Sequence, residues 1–225
     1  MYVIVAGGGE VGFYLAREFI AEGHEVLVLE PDAKLRERLE EELGEVSLGG
    51  EGCRIQCLDQ AGVSRADVFI AVTGADEDNL AACQLAKLKY RVPRVVAMLN
   101  NPRNKNIFRK LGIEYTVDVA ALVIENLKAR IPVFPLVHVL SLEDEDTDVV
   151  QIRVTETSTC AGKRLGETAL SFLAESASLV RAGNGPQMVG ASTELQVGDS
   201  LISVIPHQLL DKVRAAVAES EKLES

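Results

Sequence analysis

Tyr2-Val3-Ile4-Val5-Ala6-Gly7-Gly8-Gly9-Glu10-Val11-Gly12 decides how this chain is read. Residues 2–6 are an unbroken apolar run, the pattern of a parallel strand buried on both faces. The run ends in G-x-G-x-x-G. In that pattern Gly7 permits the tight turn out of the strand. Gly9 lets a pyrophosphate approach the backbone without meeting a Cβ, and Gly12 lets the following helix pack close. Val11, Leu15 and Phe19 then recur at helical spacing up to Gly23, which suits a helix C-terminus. Strand, glycine turn and helix in this order open a βαβ unit, with free N–H groups and the positive end of the helix dipole facing any phosphate.

The alternation continues outward. Residues 26–29 read as a second strand, 33–43 as a charged helix, 46–48 as a third strand and 67–73 as a fourth. Residues 77–90 read as a helix, 94–99 as a fifth strand, 104–111 as a helix and 114–117 as a sixth strand. Such alternation implies a parallel sheet with right-handed crossovers. Glu30 ends the second strand, about 20 residues after the glycines, where a carboxylate can accept hydrogen bonds from ribose hydroxyls and repel a 2′-phosphate. This favours NAD or an adenosine nucleotide over NADP. Thr73 and Gly74 end the fourth strand and line the crevice where ligands bind in open parallel sheets. Asp76 reads as the N-cap of the next helix.

The character changes after residue 118. Residues 119–131 form a strongly apolar helix that Pro132 and Pro135 stop. Glu143-Asp144-Glu145-Asp146 reads as a solvated turn. Residues 149–154 alternate like a half-exposed strand, 162–174 read as a short helix, 177–181 and 200–205 as strands, and 207–222 as a terminal amphipathic helix. The expected fold class is therefore α/β: a doubly wound Rossmann domain over 1–118, a crossover helix and linker over 119–148, and a smaller α+β domain over 149–225.

Composition bounds the function. A net charge of −11 disfavours nucleic acid and anionic membrane surfaces. No apolar run approaches the ~20 residues that span a bilayer, and no signal peptide precedes the first strand, so a cytoplasmic location without membrane insertion is expected. Cys53, Cys57, Cys83 and Cys160 read as buried or loop thiols. The C-x3-C pair has no partner pair to complete a metal site. His24, His138 and His207 are scattered, and none has an acid–base partner in its motif. No catalytic set is visible, and a dinucleotide site without one points to a sensor rather than an enzyme. The alternatives are a small NAD-dependent oxidoreductase and a nucleotide-binding interaction module without a channel.

Three stretches together resemble the TrkA/KtrA proteins, regulators of potassium uptake built from RCK modules. They are residues 7–12, the segment Leu58-Asp59-Gln60-Ala61-Gly62-Val63 running on through Ala75-Asp76-Glu77-Asp78-Asn79-Leu80, and the pair Leu179-Val180-Arg181-Ala182-Gly183-Asn184 with Leu195-Gln196-Val197-Gly198-Asp199-Ser200-Leu201. The resemblance implies NAD(H), or alternatively ADP/ATP, bound by Gly7, Gly8, Gly9, Glu10, Val11, Gly12, Glu30, Thr73 and Gly74. It adds Glu51, where the family usually has Asp, and Met98, where many members have Arg. Asp118-Val119-Ala120 replaces the family's Ser/Ala-Pro-Glu. The resemblance further implies a membrane potassium channel or transporter as partner, and a homo-oligomer: a dimer through the 119–131 helix, assembling to a tetramer or octamer ring.

Overall fold

The protein is described from a computed structural model, which covers residues 1–131, 136–141, 146–174 and 176–217. It divides into two compact units, Met1–Leu122 and Val123–Ser225. The acidic turn at 143–145 and the last residues of the expected terminal helix lie outside the described residues.

The first unit alternates strictly. Strands β1 (Tyr2–Ala6), β2 (Glu25–Glu30), β3 (Ser47–Gly49), β4 (Val68–Ala71), β5 (Arg94–Leu99) and β6 (Tyr115–Asp118) are joined by helices. These are α1 (Glu10–Ala21), α2 (Ala33–Leu43), α3 (Ile55–Gln60), α4 (Asp76–Gln84) and α5 (Lys105–Lys110); the next helix, α6 (Val119–Arg130), begins in this unit and ends in the second. The sheet is wholly parallel in the order β3-β2-β1-β4-β5-β6. Its strand order reverses between β1 and β4. All five residues of β1 are buried because helices cover both faces. Tyr2, Ile4 and Ala6 enter a core with Leu58, Phe69, Leu99 and Phe108. Val3 and Val5 enter another with Phe13, Ala16 and Leu39.

Two features of this unit were not legible in the pattern. Helix α3 is six residues long and buries only Leu58, so it has no apolar period to detect. Helix α4 ends in a π-helical turn over Leu85–Lys89, which the continuous helix read over 77–90 does not distinguish.

The second unit is an antiparallel sheet, β10-β9-β11-β8-β7, made of β7 (Leu136–Ser141), β8 (Thr147–Arg153), β9 (Ala177–Val180), β10 (Gln187–Met188) and β11 (Ser200–Pro206), with helix α7 (Leu210–Val217). Burial alternates along β8 and β11, as it does where one face of an antiparallel sheet meets the core and the other meets water. Strand β7 lies in what was expected to be linker, and it carries His138.

The short helix expected over 162–174 is replaced by two 3₁₀ turns, Leu165–Glu167 and Ser171–Leu173. The reason is competition for backbone amides. Leu165 N–H donates to the Thr193 carbonyl (2.8 Å) and Gly166 N–H to the Ala191 carbonyl (2.8 Å), so neither is free to build an α-helical turn. Leu165, Leu170 and Leu173 drop into the core from these turns.

The stretches around 181 and 199 meet in one ion pair. Asp199, essentially buried, accepts from Arg181 Nε and Nη2 at 2.7 Å each and from Gln196 N–H at 2.8 Å. Burial works against its charge, but the Arg181 and Gln196 hydrogen bonds outweigh burial and hold the carboxyl below the ordinary aspartate value of 3.8. A depressed carboxyl stabilises the fold above its unfolded pKa, and that contribution is lost as pH falls through the folded value. Asp199→Ala should cost about 3 kcal/mol in urea unfolding near neutral pH, and the gap to the parent should shrink as pH falls below about 4.

Candidate nucleotide-binding site

A crevice of about 300 Å³ opens beyond the carboxyl ends of β1, β2 and β4, where the strand order reverses. Of the residues expected there, Gly7, Gly9, Glu30, Glu51, Thr73 and Gly74 line it. Gly52, Cys53 and Asp78 join them, and no sequence pattern identified these three. Gly52 is placed by contact: a Cβ there would stand 2.5 Å from that of Ala6.

The four glycines divide the work. Gly7 has φ +111°, and a Cβ on it would meet the Val72 carbonyl group at 3.0 Å. It makes the turn out of β1 and lets that turn lie against the end of β4. Gly8 faces inward, where a Cβ would stand 3.0 Å from Glu30 and Leu39 side-chain atoms. Gly12 is held tightest: a Cβ there would come within 1.8 Å of the Gly7 carbonyl oxygen. Only Gly9, at the N-cap of α1 with no side chain to cap it, would direct a Cβ into open space. The first-turn N–H groups of α1 are therefore uncapped by any side chain, at a helix end whose N-cap residue, Gly9, lines the crevice, an arrangement that suits a pyrophosphate.

Glu30 is buried at 7% exposure. Its Oε2 accepts from Gly8 N–H at 2.6 Å and its Oε1 from Asp32 N–H at 2.8 Å. The carboxylate thus ties the glycine turn to the end of β2, and the oxygens keep lone pairs for further donors such as ribose hydroxyls. Burial, then the Asp78 and Glu51 carboxylates, push the Cys53 thiol up. Cys53 Sγ lies 3.9 Å from an oxygen of each.

Besides Gly8 and Gly12, which face neighbouring side chains and backbone, three more expected contacts do not line the crevice. Glu10 is exposed and pairs with Arg38 at 2.6 Å, whose guanidinium lies over the Phe13 ring at 4.4 Å. Val11, next on α1, is also exposed and does not line the crevice. Met98 is buried in the core beside Val3, Val5 and Ile70 because its position on β5 points into the sheet–helix layer. Its carbonyl accepts from Asn79 Nδ2 at 3.0 Å.

Asn79 is fully buried; it lies at the end of the 58–80 segment that carries the family resemblance, but no pattern there assigns it a role. Its Oδ1 accepts from Thr73 N–H (2.8 Å) and pairs with the Thr73 hydroxyl (2.7 Å), while its Nδ2 donates to the Thr73 and Met98 carbonyls. It knits the ends of β4 and β5 together. Asp76 differs from expectation. Ala75, in extended conformation, is the N-cap, and Asp76 is the first helical residue. Its carboxylate accepts from Asn100 N–H (2.7 Å), Asn101 N–H (3.0 Å) and Asn104 Nδ2 (2.7 Å). Burial opposes its charge, but these donors outweigh burial and hold the carboxyl low.

The glycine geometry separates fold from ligand. Gly12→Ala must displace α1 from the turn and should lower stability by about 3 kcal/mol, as overpacking against backbone does. Gly9→Val, with open space at its Cβ, should melt within about 2 °C of the parent, less than the shift of about 1 kcal/mol in a chain of this size. Differential scanning calorimetry of the two variants checks both.

Comparison with known proteins follows the same lines. A family model describing the TrkA-N domain matches residues 3–119. The chain is 37% identical over 170 residues to a "Trk system potassium uptake protein TrkA homolog" of Methanothermobacter thermautotrophicus, covering 74% of this chain and 76% of that one. It is 29% identical over 209 residues to the Trk system potassium uptake protein TrkA of Mycobacterium tuberculosis, covering 91% and 92%. Among solved structures, the fold is shared with the GsuK channel bound to NAD, at TM-score 0.66 and 19% identity, covering 98% of this chain but only 40% of that one. It is shared also with the Kef C-terminal domain of Shewanella denitrificans in its AMP-bound form, at TM-score 0.51 and 22% identity, over 58% of this chain and 79% of that one. With its β1–glycine turn–α1 crevice inside a matched TrkA-N domain, this chain belongs to the TrkA family of potassium uptake proteins.

Proposed function

We propose that this chain is a cytoplasmic regulatory subunit of potassium uptake. It binds NAD(H) or an adenine nucleotide in the β1–β4 crevice and passes that occupancy to a membrane channel or transporter through a homo-oligomer. The observation that carries the ligand is the open Cβ position at Gly9 beside the buried carboxylate of Glu30. The relatives' names support the transport role. The α1 N-terminus and the Gly9 backbone would hold the pyrophosphate, and Glu30 the adenosine ribose. Glu51, Thr73 and Gly74 form part of the remaining wall, with Gly52, Cys53 and Asp78.

The oxidoreductase reading needs a proton donor beside the nicotinamide. Among the described residues lining the crevice there is no His, Lys or Tyr, and the titratable groups are Glu30, Glu51, Cys53 and Asp78. This favours signalling over chemistry. No described helix is long and apolar enough to cross a membrane, so coupling to transport would run through a partner. Pull-down from membranes with a tagged chain separates this reading from an interaction module without a channel.

Gating by a ligand requires two arrangements of subunits that bind it unequally. Helix α6 supplies a surface for such an arrangement: Leu122, Val123, Ile124, Leu127 and Ile131 are all exposed in the single chain. A large contiguous apolar surface marks an interface. Burying about 400 Å² of it per subunit contributes about 10 kcal/mol at about 25 cal/mol per Å², before association costs. Two copies of α6 packed across a two-fold axis would bury it, and dimers of this kind can join into a ring.

Two measurements check this. NADH at about 100 times its dissociation constant should stabilise the protein by about 2.7 kcal/mol in thermal melts. NADPH should do much less, and Gly9→Val should abolish the shift. Equal stabilisation by NADPH would remove the role given to Glu30. In sedimentation at low micromolar concentration the chain should run as a dimer or larger, and a monomer of 24.3 kDa would exclude the α6 interface.

A further inference from the structure

The crevice is acidic. Its described lining includes the carboxylates of Glu30, Glu51 and Asp78 and no basic side chain. The nearby arginines are engaged elsewhere. Arg54 pairs with Glu51 at 2.6 Å, Arg38 pairs with Glu10 at 2.6 Å, and Arg36 donates to the Glu30 and Pro31 carbonyls at 2.8 Å each. Among the described residues, Asp78 has no cationic partner. Its one polar contact is Cys53 Sγ at 3.9 Å.

Two helix N-termini flank the crevice, and they differ. The end of α1 begins at Gly9 and has no side-chain cap, and its one first-turn acid, Glu10, is turned to Arg38. The end of α4 carries Asp76, Glu77 and Asp78 in its first turn. Those carboxylates already meet the positive end of that helix dipole. One helix end is therefore left to receive phosphate, and the opposite wall repels it.

Resting on the nucleotide reading above, we propose that this crevice selects its ligand by phosphate charge, taking NAD+ over ADP and ATP, with Asp78 as the specificity-determining residue. A pyrophosphate seated on α1 satisfies the one receptive helix end. The cationic nicotinamide ring of NAD+ offsets part of the phosphate charge. ATP offers no such offset, and its added terminal phosphate increases repulsion from the wall that bears Asp78. Because Asp78 is exposed, the repulsion is moderate and screened by salt.

Isothermal titration of the full chain with NAD+, ADP and ATP, in low-salt buffer with EDTA, tests this. The expected order of affinity is NAD+, then ADP, then ATP. Asp78→Asn should tighten ATP binding about fivefold, with less than a twofold change for NAD+, and added salt should narrow the gap between the two ligands in the parent. Asp78→Ser repeats the test with a different neutral side chain, and a parent-like melting temperature establishes that each variant is folded. Parent protein binding ATP as tightly as NAD+, or neutral variants leaving the ATP to NAD+ ratio unchanged, would overturn the selectivity while leaving the site intact. Binding of none of the three ligands would refute the nucleotide reading and this inference with it.

Discussion

A Cβ on Gly12 would sit 1.8 Å from the carbonyl oxygen of Gly7, and on that close approach the rest of the crevice depends. It lets α1 begin directly against the turn that leaves β1, with its N-cap residue, Gly9, at the crevice. Gly7 in turn lies against the last residues of β4, bringing the wall formed by Thr73 and Gly74 opposite the helix end. A side chain at Gly12 would push the helix away from the turn, and one at Gly7 would push the turn away from the backbone at Val72 and Thr73. The parallel sheet supplies the remaining condition. With β1 buried on both faces between two helical layers, the place where the strand order reverses is the gap between helices at the strand ends.

Polar groups then hold the walls at fixed separations. Glu30 clamps the glycine turn to β2 through the Gly8 amide. Asn79 holds the ends of β4 and β5 together with four hydrogen bonds to two strands, and Asp76 fastens the loop after β5 to the start of α4. None of these groups is left unsatisfied, because burying a polar side chain without partners would cost more than its packing returns. The outcome is a site whose shape is set by backbone and short polar side chains. Part of its charge comes from Glu51 and Asp78, exposed carboxylates that take no part in that scaffold, and part from Glu30, which does. The charge at Glu51 and Asp78 can therefore be altered without touching the hydrogen bonds that fix the walls.

The second unit is organised differently. Its sheet is antiparallel with one face toward water, and the Arg181–Asp199 pair joins the end of β9 to the turn before β11. That turn relies on Gly198 at φ +93°, and Asp199 caps it through Gln196 N–H. Two stretches far apart in sequence are thereby read as one structural device.

Much of the first unit was legible from local chemistry. Continuous apolar runs marked the buried strands, helical periodicity marked α1, and the glycine turn followed by Glu30 marked residues that line one crevice at the strand ends. All of these follow from interactions between residues near one another in the chain, so composition and spacing determine them. Contacts between distant segments decided the rest. The sequence places Met98 at the end of a strand, but the pleat turns it into the core. Asp76 reads as a cap, yet the extended backbone at Ala75 moves the cap back one residue and frees the carboxylate for the loop after β5. The apolar residues over 162–174 suggest a helix, and the carbonyls of Ala191 and Thr193 take the amides it would need. Gly52, Cys53 and Asp78 were not marked by any pattern as lining the crevice. They belong to the site only because a parallel sheet brings the ends of β1, β2 and β4 to one edge, a proximity that hydrogen bonds between strands create and that no window of sequence contains.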